Sequence, residues 1–152
     1  MGRGNSKCLN WVKDGIQTAG ALKSAPKIGT PGEFTFVVGQ EHAINFATDG
    51  MPAVLSTPNL LGLLERTALE SLHPFLESDE RTVGVEIELR HLAPTPLGAR
   101  VTVTTRVIHT DKTLVTFQVE ARDEQEVIAR GVHKRAVIRV EGFSARVKRK
   151  AK

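Results

Sequence analysis

Glu65 stands where an ionised carboxylate is hardest to explain, which makes it the first residue to ask chemistry of. On a helical wheel of residues 60 to 73, Leu61, Leu64, Ala68, Leu69 and Leu72 share one arc, and Glu65 falls between Leu72 and Leu69. Taking a carboxylate out of water without partners costs on the order of several kcal/mol. The position therefore calls for a hydrogen-bond network or a chemical task. Glu65 is also too far along the helix to serve as a first-turn complement to the dipole. Thr57 directly precedes Pro58, and proline favours the first helical position with threonine as the cap before it, so the sequence predicts a helix over 58–73 opened by Thr57. His91 closes the alternating run 82–91, whose period of two predicts Val83, Val85, Ile87 and Leu89 on one face, with Glu86, Glu88 and Arg90 on the other. His91 continues the apolar stripe. A hydroxyl at a helix start, a carboxylate on that helix's core side and an imidazole on a strand's core side would meet in one semi-buried pocket.

The elements that must position them follow from the rest of the chain. Residues 1–29 read as a variable or poorly ordered leader rich in Gly, Lys, Ser and Pro, and 149–152 as a basic tail. The predicted domain covers 30–148. Residues 33–38 read as a first strand, 39–56 as a connection, and the helix as ended or bent by Pro74. Residues 82–91, 99–108, 113–121 and 126–140 are rich in Val, Ile, Thr and Phe and are separated by turn residues, giving four more strands. One helix among five strands is an α+β chain with an antiparallel sheet, and the broad apolar arc is best buried if the sheet curls around the helix, which is the hotdog arrangement. Such a sheet covers the helix on one side only, so a homodimer, or a dimer of dimers, is expected.

Composition narrows the function. The chain has 152 residues, 40% hydrophobic and 25% charged, enough for one ordinary core. No apolar run approaches the roughly 18 residues that span a bilayer, and no export signal is evident, so the expected setting is the cytoplasm without a membrane partner. Cys8 is the only cysteine, which rules out an intrachain disulfide. The net charge of +4 resides at the ends: residues 1–29 and 144–152 hold ten Lys or Arg against Asp14 alone, whereas 30–143 hold eleven against sixteen acids. A short solvated basic run and the absence of Tyr give little basis for a nucleic-acid partner. The serine-hydrolase elbow, the HisGluXXHis helix, zinc cysteine pairs and the phosphate loop are all absent, and His42, His73, His91, His109 and His133 lack metal-ligand spacing. No metal or other cofactor is expected.

Three stretches carry a family resemblance: LSTPNLLGLLE at 55–65, VGVEIELRHLAPTPLGARVTV at 83–103 and GVHKRAVIRVEGF at 131–143. Together they resemble the hotdog-fold acyl-CoA thioesterases, and most closely the fluoroacetyl-CoA thioesterase group, over roughly residues 30–148 and without a gap from Thr57 to Arg135. The resemblance implies catalytic roles for Thr57, Glu65 and His91, a substrate-holding backbone at Gly84, and an arginine near the acyl group at Arg135. The fluoroacetyl-specific enzymes close phenylalanines over the acyl group from the segment before the threonine. Here the corresponding stretch, Ala47 to Ser56, contains Met51 and no aromatic residue.

These readings converge on a thioesterase that hydrolyses a short- to medium-chain acyl-CoA to free acid and CoA. Glu65 would attack the carbonyl or activate a water, His91 would orient or protonate groups on the path, and Thr57 with the Gly84 amide would stabilise negative charge on the carbonyl oxygen. Two competing readings share the fold: a non-catalytic acyl-CoA binding module and a hydratase or dehydratase. The latter pairs Asp with His in a local motif this chain lacks.

Overall fold

The computed structural model describes residues 24–44 and 50–151. The leader as far as residue 23, and Ala47, Thr48 and Asp49 of the segment before Thr57, lie outside the described residues. In chain order the elements are β1 (Pro31–Val37), the short β2 (Ala43–Ile44) and β3 (Val54–Leu55), α1 (Thr57–Leu72), β4 (Glu80–His91), β5 (Arg100–Asp111), β6 (Leu114–Arg122), β7 (Val127–Arg139) and α2 (Val140–Lys150). Runs dense in β-branched residues have become the long strands, as their propensity requires. Those five strands form one antiparallel sheet in the order β1-β5-β6-β7-β4, while β2 and β3 pair separately. No described helix is long and apolar enough to cross a membrane.

The sheet wraps α1. Leu60, Leu64, Ala68 and Leu72 are fully buried against Val101, Val103, Val107, Val115, Phe117 and Val119, each large side chain contributing about 1.5–3 kcal/mol of transfer free energy. Gly32 permits the close approach of β1: a methyl group there would meet Ser71 Cβ at 2.9 Å and the Thr67 carbonyl oxygen at 3.2 Å.

Two sequence expectations need correction, and one element was missed. The buried arc of α1 is Leu60, Leu64, Thr67, Ala68 and Leu72, whereas Leu61 is half-buried and Leu69 is 39% exposed. The helix is thus turned so that Leu61, Glu65 and Leu69 form its margin rather than its centre. The helix cap is Ser56, whose hydroxyl accepts from the Asn59 amide at 3.3 Å, and Thr57 is already the first helical residue. Beyond β7, where the sequence reading assigned no element, the chain forms α2, with Lys148, Arg149 and Lys150 in the last turn, where they complement its dipole.

Candidate active site

Thr57 and His91 form one half of the site. With Ser56 serving as cap, the Thr57 hydroxyl is free to turn outward, and its Oγ1 lies 2.8 Å from His91 Nδ1 at the far end of β4. Beside the pair is an open, largely aliphatic pocket of about 320 Å³ lined by Ile44, Val54, Leu55, Ser56, Leu92 and Ala93. His91 Nε2 is buried there without a well-aligned partner. Burial pushes the imidazole below the usual histidine value, and the Ala93 backbone only partly offsets it. A neutral imidazole beside a hydroxyl can take up a proton and return it.

Glu65, Gly84 and Arg135 form the other half. Glu65 Oε1 accepts from Arg135 Nη1 at 3.1 Å, and the Glu65 side chain is 41% exposed while Arg135 is 2% exposed. The expectation of a buried carboxylate is therefore corrected: Glu65 sits on the rim of the core and reaches back to a buried cation. A side chain on Gly84 would collide with Glu65 Oε1, so the missing Cβ is what lets the carboxylate lie on this stretch of β4. Arg135 is further held by Thr82, through Nε to Oγ1 and through Nη2 to the carbonyl oxygen, both at 3.0 Å. Burial lowers the affinity of the guanidinium for its proton, and the hydrogen bond and charge of Glu65 oppose this.

A β-bulge sets the two halves on one face of the strand. Along β7, Arg135 pairs with Gly84 and Lys134 with Glu86, so β4 carries one extra residue between them. Inward-facing positions are accordingly Glu80, Thr82 and Gly84 before the bulge, and Ile87, Leu89 and His91 after it. The strict alternation read from the sequence, with Val83 sharing the face of Ile87, fails at this point because an inserted residue shifts the pleat by one.

Within one chain the structure brings Thr57 to His91 and brings Glu65 to Gly84 and Arg135, but it keeps these groups apart. Eight residues of helix separate Thr57 from Glu65 by about 12 Å along the axis. Gly84 and His91 are separated by roughly 20 Å of extended strand.

His133 was not singled out by sequence reasoning. It is 2% exposed, its Nε2 lies 3.2 Å from Arg135 Nη1 and its Nδ1 lies 2.8 Å from the Glu86 carbonyl oxygen. The available signal was its place two residues before Arg135, which puts both side chains on one face of β7.

A helix enclosed by an antiparallel sheet, with a Thr–His pair and a Glu–Arg pair along its open side, defines a hotdog protein of the thioesterase class. Residues 38–141 match the family model FlK, fluoroacetyl-CoA-specific thioesterase, and the chain belongs to that family. It is a thioesterase. A fluoroacetyl-CoA thioesterase from Streptantibioticus cattleyicolor is 36% identical over 99 residues, which is 65% of this chain and 71% of that protein. A solved structure of the fluoroacetyl-CoA thioesterase FlK superposes with a TM-score of 0.76 at 30% identity, covering 84% of this chain and 98% of that one. A hot-dog-like protein from Thermanaerovibrio acidaminovorans superposes with a TM-score of 0.73 at 26% identity, covering 81% and 91% respectively.

Proposed function

We propose that the chain acts as a homodimeric acyl-CoA thioesterase, releasing CoA and a short- to medium-chain acid, with each site assembled from two protomers. The observation that carries this reading is the division of the candidate residues between the two ends of one open strand edge. β4 is the last strand of the sheet, and among the described residues nothing pairs with its outer edge. A twelve-residue unpaired edge is a template for another strand. A second β4 laid antiparallel about an axis near Ile87 brings Glu65, Gly84 and Arg135 of one protomer toward the partner's Thr57 and His91. The half-open margin of α1 at Leu61 and Leu69 supports the same assembly, since a second protomer would cover these leucines.

The acyl group then lies in the aliphatic cavity beside Thr57 and His91. Glu65 attacks the thioester carbonyl or draws a proton from the attacking water, with Arg135 holding the carboxylate in place. The Thr57 hydroxyl and the Gly84 amide supply donors to the developing oxyanion. His91, neutral and partly buried, takes up a proton released from the attacking water and returns it to the departing CoA thiolate. No step in this scheme requires a metal or prosthetic group.

Free-thiol release from a panel of straight-chain acyl-CoAs tests the reading. Turnover by the wild type and its collapse in Glu65→Ala are expected. No thiol release from any member, or full activity in the variant, would overturn it and favour a non-catalytic acyl-CoA binding module.

A further inference from the structure

We propose that His133 is a positioning residue for the hydrolysis, acting on Glu65 through Arg135. This rests on the reading of Glu65 as a catalytic carboxylate.

The arrangement begins with the alternation of β7, which places His133 and Arg135 side by side on the face toward α1, with Lys134 turned away to Glu86. The imidazole packs against Phe117 of β6, ring centroids 6.5 Å apart, and its Cε1 would be 3.3 Å from a methyl group on Gly84. Both ring nitrogens are committed. Nδ1 donates to the Glu86 carbonyl beside the bulge, which leaves Nε2 with a lone pair to accept from Arg135 Nη1. That same Nη1 donates its other proton to Glu65 Oε1. Four N–H groups of Arg135 are thus used, on His133, Glu65 and twice on Thr82, so the guanidinium is locked in one plane. Arg135 is buried and spent on the protein, and it serves the reaction by fixing Glu65 over Gly84.

The lock works only with a neutral imidazole. A proton on Nε2 would remove the acceptor and set a second cation against Arg135. The charged groups facing the ring are Arg135 from β7 and Glu65 from α1; the other contacts, from β4 and β6, are the Glu86 carbonyl, Gly84 and Phe117. Burial favours the neutral form and Arg135 adds to this, against the opposing pull of the Glu86 carbonyl and Glu65.

The test uses acetyl-CoA hydrolysis, followed by thiol release, in four variants. His133→Asn keeps an amide within reach of Glu86 but is too short for Arg135, and kcat is expected to fall about tenfold to a hundredfold with KM little changed. His133→Gln extends an acceptor to Arg135 and is expected to recover most of that rate. In the Glu65→Gln background, His133→Asn is expected to cause no further loss, because its effect passes through Glu65. An undiminished loss in that background, or wild-type kcat in a folded His133→Asn protein, would overturn the proposal. Full activity in Glu65→Gln alone would instead remove the catalytic reading of Glu65, and this proposal with it. If His133→Asn does not fold, His133→Phe, which keeps the ring packing on Phe117, takes its place in the same cycle.

Discussion

Gly84 and His91 face the same side of β4 although seven residues separate them, a spacing that strict alternation would place on opposite faces. The bulge between Gly84 and Glu86 makes the difference, and glycine on the inward side of the bulge leaves room for the Glu65 carboxylate. Gly84→Ala is therefore expected to displace Glu65 and to reduce kcat/KM about tenfold to a hundredfold. Because the displaced atom is the end of a half-exposed side chain, Tm should fall only slightly. Steady-state kinetics beside a thermal melt check this, and wild-type kinetics in the alanine variant would contradict the contact.

The proposed division of the site between protomers predicts complementation. Glu65→Ala and His91→Ala proteins, each inactive alone, are unfolded together and refolded as a mixture. Half of randomly assorted dimers are mixed, and each mixed dimer holds one site with both Glu65 and the other protomer's His91 intact, so roughly a quarter of wild-type activity is expected. A mixture as inactive as its parents would show that Glu65 and His91 do not meet across a dimer.

The sequence disclosed the large features of this fold because they are local. Period-two runs rich in Val, Ile and Thr became β4, β5, β6 and β7 within a few residues of the expected limits, and the Ser-Thr-Pro start of α1 is legible from capping preferences alone. The proximity of the helix-start hydroxyl to the imidazole at the end of β4 also emerged, as the Thr57–His91 pair. What stayed hidden depends on non-local relations. Within residues 82–91 only the isolated Gly84 hints at an inserted residue, and the bulge itself exists only relative to β7. The partner of Glu65 lies seventy residues downstream, so the wheel showed an apolar arc without showing which edge of it meets the sheet. His133 looked like an ordinary strand histidine until its neighbours on β4 and α1 were in place.

Thr57 separates chemistry from capping. Thr57→Val is expected to lower kcat by about a hundredfold, the effect of losing one oxyanion or proton-relay donor. Its stability should stay near that of the wild type, since Ser56 holds the cap, and Ser56→Ala should instead lose about 1 kcal/mol. Urea unfolding of both variants decides the assignment: a destabilised Thr57→Val with unaltered kcat would return the residue to a structural role.

His133 also marks stability against pH. Its folded-state affinity for a proton is reduced, so above the unfolded value of about 6.5 both states are neutral and the group contributes nothing to the dependence. As pH falls through that value the unfolded chain binds a proton first, and stability declines until the folded histidine titrates, by at most about 1.4 kcal/mol per pH unit. Partly buried His91 acts in the same direction. Unfolding free energies of wild type and His133→Gln, compared between about pH 7.5 and 5.5, should show a shallower decline in the variant. Parallel curves would mean that His133 is not held neutral by the fold.

In the proposed scheme the acyl group lies beside Thr57 and His91, so the walls of that pocket set acyl preference. Apart from Ser56 and the Thr57–His91 pair, its described walls, Ile44, Val54, Leu55, Leu92, Ala93 and Pro94, are aliphatic, and Met51 ahead of them in the chain is 57% exposed. An aliphatic wall has no ring face or edge to sense the altered charge distribution of a fluorinated methyl group, whereas each added methylene that it buries contributes on the order of 0.8 kcal/mol. A flexible thioether such as that of Met51, three residues before Val54 in the chain, adapts to chain length more readily than an aromatic ring. Hydrolysis should therefore extend from acetyl to medium-chain acyl-CoAs, with only a weak preference for fluoroacetyl over acetyl. Measuring kcat/KM across that series decides the matter: a preference for fluoroacetyl-CoA of about a hundredfold, about 2.7 kcal/mol at the transition state, would show that fluorine is selected although the described wall holds no Phe, Tyr or Trp.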